Sequence, residues 1–279
     1  MKAAAFDYER PPTLERAIEL LRAANGDAKV LAGGQSLGPM LNLRLATPRL
    51  VVDVTRIPEL RRTADERDAV VIGACVTHAD IEDGRVPDAT RGVMPGVARA
   101  IAYRAVRNRG TVGGSLAHAD PSADWPTALA ALGAEAMIAG PAGRRHVPVA
   151  EFLSGAFEST LAADEILEAV RVPKLSARAR WGFHKVCRKP GKFAEAMSAV
   201  LWDPDRGVRR AVIGATDSRP ITIGDARGSV DRSRGGGADA LSEHAVAAML
   251  DGAGLGGDSY SRRIHLVSFR RALAQIQST

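Results

Sequence analysis

The chain has 279 residues, 46% of them hydrophobic and 25% charged, a balance that excludes a disordered or fibrous protein and leaves enough apolar mass for a substantial core. A formal charge of +6 raises nucleic acid as a partner, but the arginine groups (Arg104, Arg107, Arg109; Arg262, Arg263, Arg270, Arg271) lack the interleaved aromatics that stack on bases, so no nucleic acid is expected. Two cysteines, Cys75 and Cys187, are too few for a four-thiolate iron–sulfur cluster or a Cys-rich zinc site, and both read as buried reduced thiols.

The opening residues meet acidic side chains and Pro11-Pro12 too soon for a secretory h-region, and no apolar run reaches membrane-spanning length. A cytoplasmic chain without a membrane span is expected. Thr13 to Ala24 reads as an amphipathic helix with Leu14, Ala17, Ile18 and Leu21 at helical spacing. A strand over Ala28 to Ala32, a glycine turn, a helix from Leu37 to Leu45 and a strand from Leu50 to Val54 complete a first unit, residues 1–55.

A second unit, residues 56–175, is α+β. Strands are predicted over Ala69 to Ala74, Ala134 to Ala139, Arg144 to Val149 and Ile166 to Val172, with helices near Thr77 to Glu82, Met94 to Tyr103 and Trp125 to Leu132. The third unit, residues 176–279, shows alternation around Trp181 to Cys187, Ala196 to Trp202 and Val208 to Ala215, which predicts a three-stranded antiparallel sheet. Arg227 to Asp239 reads as a mobile surface loop, and helices over Leu241 to Leu250 and Tyr260 to Gln277 end the chain, the last with Leu266, Phe269, Leu273 and Ile276 on one side.

Two glycine pairs, each closing with a serine, stand out: Ala32-Gly33-Gly34-Gln35-Ser36 after Val30-Leu31, and Thr111-Val112-Gly113-Gly114-Ser115. Paired glycines let backbone N–H groups approach a bulky anion, and a following helix adds its positive end. One pair alone is weak evidence, since such glycines usually serve a tight structural turn, whereas two of nearly the same form point to a nucleotide cofactor held from both sides. Neither pair fits G-x-G-x-x-G and the P-loop pattern is absent, which disfavours a Rossmann NAD site and an ATPase. A flavin dinucleotide between two subdomains fits better. His118 follows the second pair without a companion at metal-ligand spacing, His78 reads as a helix-start residue, and no metal site or nucleophilic triad is expected.

The runs AGGQSLGPMLNLRLATPRLVVDV (32–54), RNRGTVGGSLAHADPSADWPTAL (107–129), GFHKVCRKPGKFAEA (182–196) and YSRRIHLVSFRRAL (260–273) together resemble the FAD-binding medium subunit of the molybdenum hydroxylases, over nearly the whole chain and in the right order. The resemblance implies the vanillyl-alcohol-oxidase (PCMH) type of FAD fold, two α+β subdomains and a C-terminal flavoprotein domain. It puts FAD contacts on Lys29, Val30, Leu31, Ala32, Gly33, Gly34, Gln35 and Ser36, then on Ile101, on Thr111, Val112, Gly113, Gly114 and Ser115, and on Asp124, Leu161 and Lys185. Phe193 falls where related subunits set an aromatic beside the isoalloxazine. Asp124 suits a ribityl or ribose hydroxyl rather than the diphosphate, with a helix N-cap as its bland alternative, and Lys185 is a cation able to tune a flavin potential or a plain strand lysine. Gln35 and Ser115 stand where many relatives carry His and Asn.

By this resemblance the chain is an electron-transfer subunit with no substrate acid or base of its own. A large molybdenum subunit and a small 2Fe-2S subunit are the implied partners, as a dimer of heterotrimers. The alternatives are a stand-alone flavin oxidase or reductase of the same fold and a non-enzymatic nucleotide-binding protein.

Overall fold

The computed structural model describes residues 2–224, 243–252 and 259–277. The first elements are β1 (Asp7–Glu9), α1 (Leu14–Ala24), β2 (Ala28–Leu31), α2 (Leu37–Asn42) and β3 (Leu50–Asp53), and the strands form a parallel sheet in the order β1-β3-β2. Leu14, Ala17, Leu21 and Ala24 of α1 recur at helical spacing and are all buried against it. Thr13 caps the start by accepting the Arg16 N–H at 3.2 Å, and Asn25 closes the end in the left-handed region at φ 47°. β1 escapes the sequence pattern because its three residues are all exposed. α2 stops at Asn42, short of the expected Leu45, where Arg44 turns the chain at φ 58°.

The middle of the chain supplies β4 (Thr63–Asp65), β5 (Ala69–Gly73), α3 (His78–Glu82), α4 (Val93–Ala100), α5 (Arg104–Arg107), α6 (Val112–His118), α7 (Asp124–Leu132), β6 (Glu135–Gly140), β7 (Gly143–Pro148), α8 (Val149–Phe152), β8 (Leu153–Gly155), β9 (Glu158–Ser159) and β10 (Ile166–Pro173). An antiparallel five-stranded sheet runs β4-β5-β10-β6-β7, with β8 and β9 as a separate hairpin. Cys75, Ala139 and Ile166 from this region share a core with α1 and the parallel sheet, so the first two sheets are packed into one body.

The last sheet is antiparallel and runs β11 (Arg180–Val186), β12 (Ala196–Asp203), β13 (Val208–Gly214), β14 (Ile221–Ile223). It therefore has four strands where the sequence predicted three, since β14 is only three residues long and follows Pro220 too closely to leave an alternation. α9 (Glu243–Gly252) and α10 (Ser259–Gln277) follow, and Phe269 and Ala272 of α10 are buried against Val200, Ala211 and Ile213. The loop expected over 227–239 lies outside the described residues. Cys75 is buried as expected, whereas Cys187 lies just past the end of β11 and is only half-buried.

α7 ties the sheets together. All nine of its residues are buried, seven of them apolar, with Asp124 and Thr127 as the polar exceptions. Trp125, Ala128, Leu129 and Leu132 join one core with Val70, Ile138 and Val170 of the five-stranded sheet and with Ala199 and Val212 of the four-stranded one. Among the described residues no helix is long and apolar enough to cross a membrane.

Candidate functional site

The turn 32–36 leaves β2 at the carboxyl end of the parallel sheet, the end where ligands gather in such units. Its two glycines do different work. A Cβ on Gly33 would overlap the Arg109 carbonyl oxygen and come within 2.8 Å of the Gly110 Cα, while Gly34 takes φ +74°, which side chains rarely adopt. No backbone N–H of Gly33, Gly34, Gln35 or Ser36 donates to another described residue. Gln35 and Ser36 are exposed and the glycines half-buried, so the turn presents a row of open donors suited to an anion. Lys29 is exposed on β2, with Val30 and Leu31 half-buried beside it.

The second pair is built differently, and here the structure corrects the sequence reading. Thr111 to Ser115 is not a loop of free donors but the cap and first turn of α6. The Val112 N–H donates to the Val76 carbonyl at 3.1 Å, Gly113 to Ala74 at 3.0 Å, Gly114 to the Thr111 Oγ1 at 3.0 Å and Ser115 to the Thr111 carbonyl at 3.0 Å. Its backbone donors are thus already committed. Gly113 is buried where a Cβ would overlap Ala74, and a Cβ on Gly114 would sit 3.6 Å from the Ala32 Cβ. The two turns lie close together, Gly114 against Ala32 and Gly33 against Gly110.

Asp124 and Lys185 meet as a buried ion pair. The Lys185 Nζ donates to both Asp124 oxygens at 2.9 Å, with side-chain exposures of 9% and 5%. Burial raises the Asp124 carboxyl above its ordinary range and the ammonium opposes that. Asp124 is the first residue of α7 and Ala123 its N-cap, so the capping alternative fails. The solvated-lysine alternative fails too.

Ile101 lies at the end of α4, half-buried, and Leu161 packs against the central core. Phe193 is 65% exposed. The His118 ring lies 5.3 Å from the Phe157 ring, tilted by 53°.

Two residues organise the site beyond what was read from the sequence: His78 starts its helix as expected but also holds Trp125, and Asp53 was not singled out. His78 opens α3 under a Thr77–Asp80 capping box, a spacing that was available, and its Nδ1 accepts the Trp125 Nε1–H at 3.0 Å. Burial and the Arg107 charge hold its ring down to about 4, so it is neutral with the proton on Nε2. It lies directly beneath Gly110, whose added Cβ would come 2.8 Å from Nε2. Asp53, register partner of Leu31 at the end of β3, accepts from Tyr8, from Arg10 at 2.7 Å and from Thr55 at 2.6 Å. Burial works against its charge, but these bonds prevail and hold the carboxyl at about 2.

A family model described as the FAD binding domain in molybdopterin dehydrogenase matches residues 4–175. The carbon monoxide dehydrogenase medium chain of Hydrogenophaga pseudoflava is 39% identical over 196 residues, 70% of this chain and 68% of its own. The caffeine dehydrogenase subunit beta of Pseudomonas sp. (strain CBB1) is 37% identical over 202 residues, 72% and 68% of the two chains. The solved carbon monoxide dehydrogenase from Hydrogenophaga pseudoflava that lacks the Mo-pyranopterin moiety of the molybdenum cofactor matches with a TM-score of 0.86 at 31% identity, over 100% of this chain and 99% of that one. Quinoline 2-oxidoreductase from Pseudomonas putida 86 matches at 0.80 and 33%, with the same coverage. The fold is therefore the α+β, PCMH-type FAD-binding fold that the sequence led us to expect. A family model over more than half of the chain and relatives this similar over most of their length lead to one conclusion: the chain belongs to the FAD binding domain family of the molybdopterin dehydrogenases.

Proposed function

We propose that this chain is the FAD-carrying electron-transfer subunit of a molybdenum-containing hydroxylase or dehydrogenase, taking electrons from iron–sulfur clusters of a partner subunit and passing them to an external acceptor. The observation that carries this reading is the row of open N–H donors at Gly33 to Ser36, in a turn shaped by a left-handed Gly34, within a chain matched to an FAD binding domain. FAD supplies chemistry that links one-electron carriers to a two-electron acceptor. In this proposal the first turn binds the diphosphate, and the second pair acts through shape and the Ser115 hydroxyl. Lys29, Val30, Leu31, Ile101 and Leu161 border the cofactor, and Phe193 covers its ring system. Asp124 and Lys185 act as one fixed dipole rather than as a free carboxylate and a free cation.

The molybdenum cofactor and 2Fe-2S clusters belong in this proposal to separate large and small subunits, assembled as a dimer of heterotrimers in the cytoplasm, and the substrate pocket lies in another polypeptide. Relatives named as a medium chain and a subunit beta support a multi-subunit setting. We also divide the chain at residues 55 and 175. The end of the family match at 175 and the start of the last sheet at Arg180 support the second boundary.

Flavin absorbance tests the reading. The purified chain is expected to bind one FAD non-covalently and no iron or molybdenum. Its flavin stays oxidised when the chain alone meets N-heterocycles, aldehydes or carbon monoxide, and bleaches when the assembled complex receives its substrate. Bleaching of the isolated chain at a turnover rate would replace the subunit by a stand-alone flavin oxidase or reductase. A folded chain that takes up no flavin would point to a non-enzymatic nucleotide-binding protein.

A further inference from the structure

Between α4 and α5 the chain makes a corner at Ile101, Ala102 and Tyr103. Ala102 sits at φ 43°, a left-handed conformation in a residue that has a Cβ. Such a corner persists only where its surroundings hold it. Two groups do so here. The Nη1 of Arg107 donates to the Ile101 carbonyl at 2.9 Å and to the Ala102 carbonyl at 3.0 Å. Gly191, itself at φ +80°, lies against the same Ala102 carbonyl, so closely that an added Cβ would stand 2.8 Å from its oxygen.

The guanidinium is fixed in turn. Its Nε and Nη2 donate to the two carboxylate oxygens of Glu82 at 2.7 and 3.2 Å, and each side chain is only 11% exposed. Hydrogen bonding from Arg107 holds the Glu82 carboxyl below its ordinary range. Carboxylate and carbonyls thus use opposite edges of one rigid plane. A lysine ammonium has no such fork and cannot bridge both.

We infer that Arg107 is a positioning residue of the cofactor site: clamped by Glu82, it fixes the Ile101-Ala102 corner and thereby the seat of the 188–193 loop that carries Phe193. Ile101 and Phe193 reach this argument as proposed flavin neighbours, so the inference rests on the FAD reading.

The test uses the full chain with Arg107→Lys and Glu82→Gln, and Arg104→Lys as control, because Arg104 bonds Glu82 and Asp83 but neither corner carbonyl. Three readouts are taken: amide exchange at 101–103 and 188–193, the FAD dissociation constant, and the visible circular dichroism of bound flavin. Arg107→Lys is expected to speed exchange at both segments, alter the flavin dichroism and weaken FAD by about tenfold or more, the equivalent of one lost charge-assisted hydrogen bond. Glu82→Gln moves all three the same way by less, and it carries the test if Arg107→Lys does not fold. The control leaves them unchanged. Faster exchange with wild-type FAD affinity and dichroism would make the latch merely structural and overturn the inference while the FAD reading stands. Unchanged exchange would overturn it as well. A wild-type chain that binds no FAD would remove the FAD reading first, and this inference with it.

Discussion

The two glycine turns are written almost alike and built for different ends. At Gly33 to Ser36 the backbone donors are open and the surface is partly exposed, whereas from Val112 to Ser115 every backbone donor already has an acceptor inside the protein. A glycine pair signals only that side chains are unwelcome. Whether a ligand or a neighbouring strand fills the space depends on where the N–H groups are spent, which the letters do not record.

The widest separation is expected from valine at each turn. Gly113→Val drives a branched side chain into Ala74, and it should cost more than about 3 kcal/mol or abolish soluble protein. Gly34→Val should leave a folded chain, weakened by about 1–2 kcal/mol for its left-handed backbone, that no longer retains FAD. Thermal unfolding and flavin content read both. A stable Gly113→Val protein lacking flavin would erase the contrast.

Lys185→Met asks the same question of side chains that the second turn asks of the backbone. Stranding Asp124 in the interior should destabilise the chain by about 3–5 kcal/mol, and adding Asp124→Asn should recover much of that in urea titrations. Full stability in the single variant would mean that the pair is not closed to water.

Smaller effects divide the turns again. Thr111→Ala removes the α6 cap at a cost of about 1 kcal/mol, with FAD affinity nearly unchanged. Gln35→Ala should do the reverse, weakening FAD by about 0.5–1.5 kcal/mol at constant melting temperature. An FAD loss in Thr111→Ala as large as that in Gln35→Ala would show the second turn to be a binding element after all.

Acid should reach the first turn by way of Asp53. Its native carboxyl titrates at about 2 against an ordinary 3.8, so the stabilisation it gives is complete above the ordinary value and is lost as pH falls through about 2. Asp53→Asn should flatten the melting temperature of the chain across that window. If the acid limb stays as steep, other carboxylates govern it.

Periodicity made most of the fold legible. Leu14, Ala17 and Leu21 marked α1, and the alternation around Phe183, Ala199 and Val212 marked the last sheet. β1 and β14 were invisible because three residues carry no period, and α6 was hidden because its first turn contains two glycines, poor helix formers that are present for packing. Among the candidate site residues, the two turns stood out by their shared form, which did not tell that only the first keeps its N–H groups open. The pairing of Asp124 with Lys185 and the grip of Arg107 on Ile101 were not legible, since each joins side chains whose encounter depends on the finished topology.

α7 has consequences for how the chain can be cut and recombined. A nine-residue helix with no solvent face is half-wrapped by the five-stranded sheet and finished by Ala199 and Val212 of the four-stranded one. The last sheet is consequently a lid on that helix rather than a detachable module. A fragment ending at residue 175 would expose to water the apolar strip that Ala199 and Val212 cover. During synthesis, the helix emerges well before its lid, leaving a newborn chain with a sticky flank until β12 and β13 arrive.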